Sequence, residues 1–147
     1  MITRMSHACI YVLDQQRAKE FYTEKLGFTV GTDISMGAAF EGAGEGFRWL
    51  TVNPPGQPDM EIILADCGMG HDPETADQIR ALVAKGALGT GVLNTDDCHT
   101  TYKELSARGV VFTQEPAVRP YGIEAVFRDD SGNWFSLAQT LHDGSNA

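Results

Sequence analysis

The side chains best suited to chemistry in this sequence are His7, Glu61 and Glu124, each in a short segment where apolar and polar residues alternate. Such alternation is typical of a half-buried β-strand, and it places His7 on the face opposite Ile10 and Val12. A carboxylate removed from water needs a partner, and His7 is the simplest one for Glu61. This pair could transfer protons or only hold its two members in place. Alternation alone does not assign Glu124 to either face of its strand.

Several aromatic, arginine and amide side chains also fall on predicted strands and loops. Because a concave binding site is mostly apolar with a few polar groups, this set predicts a pocket for a small, aromatic or planar molecule. The arginines suit an anionic group on that molecule. Each ring could instead belong to the core, and each arginine could face solvent. The candidate binding residues are Tyr11, Arg48, Trp49, Asn94, Arg119, Tyr121 and Trp134, with Phe47 as a further aromatic candidate.

The elements that must position these residues follow the order βαβββ in the first part of the chain. Asp14 is a typical helix N-cap and Gly27 a typical C-terminal stop, so a helix is predicted between them. Prolines between residues 54 and 58 predict a turn. The predicted strands cover residues 3–13, 28–34, 47–52 and 60–65, and a glycine-rich connection covers residues 37–46.

The same order then repeats. Asp97 and Gly109 take the places of Asp14 and Gly27 at offsets of 83 and 82 residues, which indicates a duplicated module. Strands are predicted over residues 89–95, 110–113, 122–127 and 134–138. We therefore predict one α+β domain over residues 1–147, with modules at 3–66 and 89–140, a connecting loop and helix at 67–88, and a polar tail at 141–147.

Composition excludes several classes of partner. The 11 Lys and Arg against 20 Asp and Glu give a formal charge of −9, which disfavours binding to nucleic acid. Apolar runs fall far short of the roughly 20 residues that cross a bilayer, so no membrane partner is expected. The N-terminus lacks the apolar region of a signal peptide, and the three cysteines form no CxxC pair. These features predict a cytoplasmic protein with unpaired thiols.

Three stretches of the sequence are distinctive: HACIYVLDQQRAKEFYTEKLGFTV at residues 7–30, TDD at 95–97 with the helix end after it, and FRDDSGNWFSL at 127–137. Together they resemble the glyoxalase, bleomycin-resistance and extradiol-dioxygenase superfamily, also called the vicinal oxygen chelate group. The resemblance extends over residues 3–140. It implies that the two modules form a curved mixed-sheet cup for a small ligand, often with a divalent metal. Members have unrelated activities, so the fold alone implies no reaction.

The resemblance also implies one metal ligand on the first and fourth strands of each module. His7 and Glu61 occupy these positions in the first module, whereas Thr90 and Ser136 occupy them in the second. Neutral hydroxyls bind divalent cations poorly, which puts the four-ligand site in doubt. Glu124 could supply a carboxylate to a shifted site. One divalent metal (Zn, Fe, Mn or Ni) and no metal at all are both open.

Two main functions follow from these residues. The first is the binding of a small organic molecule in the cup without a complete metal site. The alternative is a divalent-metal-dependent lyase, isomerase or ring-cleaving dioxygenase, in which Glu61 or Glu124 moves a proton as the catalytic residue. A protein-interaction module is disfavoured by the aromatic residues. A homodimer is the expected assembly, and the sequence does not decide whether one chain or two build the site.

Overall fold

The computed structural model of the chain describes residues 1–35 and 47–141. Within them, eight strands form two four-stranded mixed sheets, and three helices accompany the sheets. This arrangement confirms the predicted α+β class and the two tandem modules. The predicted glycine-rich connection over residues 37–46 and nearly all of the predicted tail, residues 142–147, lie outside the described residues.

The first sheet has the strand order β1-β4-β3-β2, with β1 parallel to β4 and the other pairs antiparallel. In this register His7 on β1 pairs directly with Glu61 on β4. Side chains from these distant parts of the sequence are therefore neighbours on one face. The elements are β1 (His7–Val12), α1 (Gln15–Glu20), a π-helical turn (Phe21–Lys25), β2 (Thr29–Ser35), β3 (Arg48–Asn53) and β4 (Glu61–Asp66).

The second sheet repeats this topology with the order β5-β8-β7-β6, in which β5 is parallel to β8. The helix α2 connects the two modules. Because the order is the same, the strand that follows each module's first helix lies at the outer edge of its sheet. The elements are α2 (Pro73–Ala84), β5 (Gly89–Asn94), α3 (Cys98–Ala107), β6 (Val111–Arg119), β7 (Gly122–Arg128) and β8 (Trp134–Thr140).

Two strands differ from the predicted bounds by more than two residues at one end. β1 begins at His7 rather than at residue 3, and β6 continues to Arg119 rather than ending at residue 113. The continuation passes through Pro116, which was not expected inside a strand. Proline is tolerated there because β6 is an edge strand and its register with β7 shifts between Gln114 and Ala117.

The first helix of each module begins where the sequence predicts, and α2 begins with the same kind of cap. Asp14, Asp72 and Asp97 each accept a hydrogen bond from the backbone N–H three residues later. Each carboxylate thereby satisfies a donor that the first helical turn leaves free. Gly27 and Gly109 have φ angles of 77° and 92°, in the left-handed region that favours glycine at a helix end. Within the described parts of the chain, none of the helices is long and apolar enough to cross a membrane.

The helix-facing sides of both sheets contribute to one buried apolar cluster. Alternation along each strand sends every second residue into it, as predicted for β1. The opposite faces of the two sheets consequently turn away from the shared core, and we call them the open faces. The strand residues in the cluster are Ile10, Val12, Leu50, Val52, Ile62 and Leu64 from the first sheet and Ala125, Phe127, Phe135 and Leu137 from the second.

A buried polar link joins the modules through the turn between β7 and β8. The Tyr22 hydroxyl donates to Asp129 Oδ2 at 2.7 Å, and Asn133 Nδ2 donates to the Tyr11 carbonyl oxygen at 2.8 Å. Burial, followed by the nearby charge of Asp129, raises the pKa of Tyr22 well above its ordinary value. Tyr22 therefore remains a hydrogen-bond donor at every ordinary pH.

We expect Tyr22→Phe to lower the free energy of unfolding by about 1–3 kcal/mol, because it removes a donor from the buried carboxylate of Asp129. Tyr102→Phe is the matched control, since Tyr102 packs edge-on against Phe112 with ring centroids 4.7 Å apart. Its hydroxyl has no hydrogen-bond partner among the described residues, so the control should change stability by less than about 0.5 kcal/mol. Urea denaturation at pH 7 measures both, and equal losses would contradict the role of Asp129.

Candidate functional site

The open face of the first sheet carries a hydrogen-bonded chain of polar side chains. His7 Nε2 lies 2.9 Å from Glu61 Oε2, and His7 Nδ1 lies 2.8 Å from Ser6 Oγ. Thr51 donates its hydroxyl to Glu61 Oε1 at 2.7 Å. If Nε2 carries the imidazole proton, Nδ1 accepts from Ser6, and both ring nitrogens are satisfied. The Trp49 ring lies beside these hydrogen-bonded side chains, with its centroid 6.2 Å from that of the His7 imidazole.

Gly31 leaves the space that the Glu61 carboxylate occupies. It lies on β2 where the pairing with β3 is irregular. A Cβ atom at this position would lie 2.7 Å from each of three oxygens, on Thr51, Asn53 and Glu61. Real Cβ atoms do not approach oxygens this closely, so any larger residue would displace the hydrogen-bonded chain.

A second polar pair lies further along β1. The Tyr11 hydroxyl and His71 Nε2 are 2.9 Å apart, and their ring centroids are separated by 5.5 Å. The pKa of Tyr11 is raised, chiefly by partial burial. His71 forms this exposed contact across 60 residues of sequence, and no local pattern signals such a partner.

The open face of the second sheet carries the carboxylate of Glu124, which points away from the buried side chain of Ala125. Ser136 donates its hydroxyl to Oε2 at 2.5 Å, and Tyr121 donates to Oε1 at 2.8 Å. The guanidinium of Arg119 is 3.8 Å from the same Oε1. These hydrogen bonds, Ser136 first, lower the pKa of Glu124. The group is therefore a charged acceptor held in one orientation.

The other predicted site residues are more dispersed. Trp134 lies on the second open face with 38% of its surface exposed, and its carbonyl oxygen accepts from Thr90 Oγ1 at 3.0 Å. Asn94 borders a separate groove of about 670 Å³ between the modules. Strand alternation places Arg48 on the side of β3 opposite Trp49, which is the side that faces the helices. There its guanidinium forms an ion pair with Asp33 at 2.8 Å. Arg48 and Asn94 are thus separate from the polar groups around Glu61 and from those around Glu124.

The side chains present do not fit the four-ligand metal site that the resemblance implies. Within one chain, His7 and Glu61 bind each other, the Thr90 hydroxyl donates to a carbonyl oxygen, and the Ser136 hydroxyl donates to Glu124. Among residues 1–35 and 47–141, no three His, Cys, Asp or Glu residues cluster as metal ligands would.

Sequence reasoning missed several members of the first polar cluster. Thr51 and Asn53 alternate with Leu50 and Val52, so strand periodicity could have placed them on the open face. Their burial, to 0% and 8% exposure, could not be predicted from a single strand. It arises because the irregular pairing around Gly31 brings β2 close to these side chains.

Comparison with known proteins agrees with this geometry. A family model described as the Glyoxalase/Bleomycin resistance protein/Dioxygenase superfamily matches residues 4–137. The chain belongs to this superfamily. This superfamily member is 31% identical over 139 residues to the uncharacterised protein YetH of Bacillus subtilis (strain 168). The match covers 95% of this chain and 100% of YetH.

Two solved structures of high similarity extend the comparison. UcmS2 is 50% identical in sequence to this superfamily member. Their structural alignment covers 95% of this chain and 100% of UcmS2, with a TM-score of 0.85. The structure of TnmS3, an antibiotic binding protein from Streptomyces sp. CB03234, is 31% identical. It covers 95% of this chain and 97% of TnmS3, with a TM-score of 0.70.

We expect Gly31→Ala to destabilise this superfamily member by roughly 1–3 kcal/mol, because the added methyl group overlaps the oxygens around Glu61. It should also shift the imidazole signals of His7 in nitrogen-15 NMR spectra. Gly91→Ala is the matched control, since a Cβ atom there meets no other atom within 4 Å. Urea denaturation and NMR spectra that respond equally to both substitutions would disprove this role of Gly31.

The lowered pKa of Glu124 predicts a specific pH dependence. The folded pKa lies below the unfolded value of about 4.3, so Glu124 stabilises the fold above that pH. This contribution is lost as the pH falls through the folded pKa. A carbon-13 NMR titration should give a higher pKa for Glu124 in Ser136→Ala than in the wild type. In Thr113→Val, which removes a hydroxyl bound to the Val126 carbonyl oxygen, it should be unchanged. An unaltered pKa in Ser136→Ala would refute the assignment.

Proposed function

We propose that this chain binds a planar aromatic small molecule, of the antibiotic type, non-covalently on its open faces. The main support for the proposal is that aromatic rings lie close to hydrogen-bonded polar side chains on these faces. Trp49 stands beside the His7–Glu61 pair, Tyr121 is 50% exposed in the turn before β7, and Trp134 is 38% exposed on the second open face. Exposed rings offer stacking surface, while pre-oriented polar groups select the ligand's orientation.

The similarity to TnmS3 supports the ligand class, since that protein is described as antibiotic binding. In this proposal Glu61 and Glu124 act as hydrogen-bond acceptors for the ligand rather than as catalytic bases. Their other oxygen lone pairs are already occupied by Thr51 and Ser136, which fixes the carboxylates in place. Fixed acceptors bind with little loss of side-chain entropy.

The proposal includes a second copy of the chain. Both open faces turn away from the one shared core, so neither is covered by the other within a chain. Val92 on the second sheet and Tyr121 in the turn before β7 are 62% and 50% exposed, so a partner would find apolar surface to cover there. A two-fold partner would lay its own open face against this one and enclose the ligand.

Binding of a planar polycyclic antibiotic such as daunorubicin, measured by isothermal titration calorimetry, tests the proposal. Trp49→Leu and Trp134→Leu should each weaken binding by at least about fivefold, because each removes a stacking surface. Leu82→Ala is the control, since Leu82 is an exposed residue of α2. Dialysis against EDTA should leave the affinity unchanged.

Two outcomes would overturn the proposal. The first is an absence of binding to the wild-type chain by every planar aromatic antibiotic tried at millimolar concentration. The second is binding that EDTA abolishes and added Zn²⁺ restores. That result would favour the metal-dependent enzyme, whose ligands would then include His7 and Glu61, and the double variant His7→Ala, Glu61→Ala would lose the metal.

A further inference from the structure

A shallow cavity of about 390 Å³ lies on the second open face, at the end of β7 away from the Glu124 cluster. Glu124 and Arg128 are four residues apart on the same side of this strand, which separates their backbones by about 13 Å. The cavity is thus distinct from the carboxylate site. It is lined by Gly86, Thr113, Gln114, Val126, Arg128 and Trp134.

Two of the side chains that line this cavity, Arg128 and Trp134, have donors without a partner. Within residues 1–35 and 47–141, neither the Arg128 guanidinium nor the indole N–H of Trp134 has a hydrogen-bond or ion-pair partner. The amide of Gln114 and the hydroxyl of Thr113 already donate to the carbonyl oxygens of Glu124 and Val126. Because the guanidinium is a charged donor and the indole N–H is a second donor, this pair of side chains suits a group with lone pairs and negative charge.

The backbone is shaped to hold these two side chains next to each other. Arg128 and Trp134 are direct partners in the pairing of β7 with β8. A Cβ atom at Gly86 would lie 2.6 Å from the Arg128 Cζ atom, and one at Gly89 would overlap the Trp134 ring. The lack of a side chain at these two glycines therefore lets the guanidinium and the indole pack directly on the backbone. The opposite surface of each side chain lines the cavity.

We propose that Arg128 and Trp134 form a subsite for the carboxylate of a planar aromatic acid. The inference rests on the proposed function and specifies the ligand's chemistry. The carboxylate accepts from the guanidinium, and the aromatic body lies over Val126 and the indole. The negative charge of Glu124, four residues before Arg128 on β7, disfavours the reversed orientation. Although the net charge of the chain is −9, an arginine without an acidic partner creates a local positive charge that attracts an anionic group.

The test compares 2-naphthoate with its neutral analogue 2-naphthamide by isothermal titration calorimetry on the full chain. Wild-type protein should bind naphthoate at least about tenfold more tightly than naphthamide. Arg128→Gln should remove this preference and leave the affinity for naphthamide within about twofold of the wild type. Arg128→Lys, which keeps the charge but not the bidentate geometry, should retain part of the preference.

Arg80→Gln is the matched control, because it makes the same charge change at a surface arginine that pairs with Asp66 and Asp77. It should leave both affinities unchanged. Equal wild-type affinities for the two probes, no binding of naphthoate, or equal losses in Arg128→Gln and Arg80→Gln would overturn the subsite. If daunorubicin still binds in those cases, the proposed function stands and only the Arg128 assignment fails.

Discussion

One buried carboxylate, that of Asp129, holds the two halves of the chain in their relative position. Its Oδ1 accepts three backbone N–H groups from its own turn, and its Oδ2 accepts from the Tyr22 hydroxyl and the Asn133 amide. A charge with 6% exposure is tolerated only when donors surround it in this way. The turn it organises leads directly into β8, so the placement of Trp134 and Ser136 on the second open face depends on it.

The two modules reach a similar surface by different means. In each, strand alternation gives a core side and an open side, and each open side holds a carboxylate in fixed orientation. In the first sheet the carboxylate is Glu61 on β4, held by Thr51 and His7. In the second it is Glu124 on β7, with Ser136 on the neighbouring β8 as its donor. The two modules thus share their backbone topology, while the side chains on their open faces differ.

The features that sequence could predict are local, and those it could not depend on contacts between distant segments. Asp14 and Asp97 identify their helix starts because an N-cap needs only three further residues. His7 was placed correctly because alternation in β1 is regular. The side of the sheet on which Glu124 lies follows only from the packing of the neighbouring strands. Likewise, the contacts of Arg48 with Asp33 and with Gln16 of α1 join segments that are distant in the sequence. The family resemblance supplied the pairing of the modules, which periodicity alone does not contain.

The irregular course of β6 has a consequence for the behaviour of the protein at high concentration. β6 is the last strand of its sheet, and an outermost strand can template the addition of strands from other molecules. Pro116 contributes no N–H to such a ladder, and the register breaks on either side of Gln114 bend the backbone away from a continuous row. An incoming strand would find only short stretches to pair with. The residue that makes this strand hard to recognise in the sequence therefore also protects the folded chain from edge-to-edge aggregation.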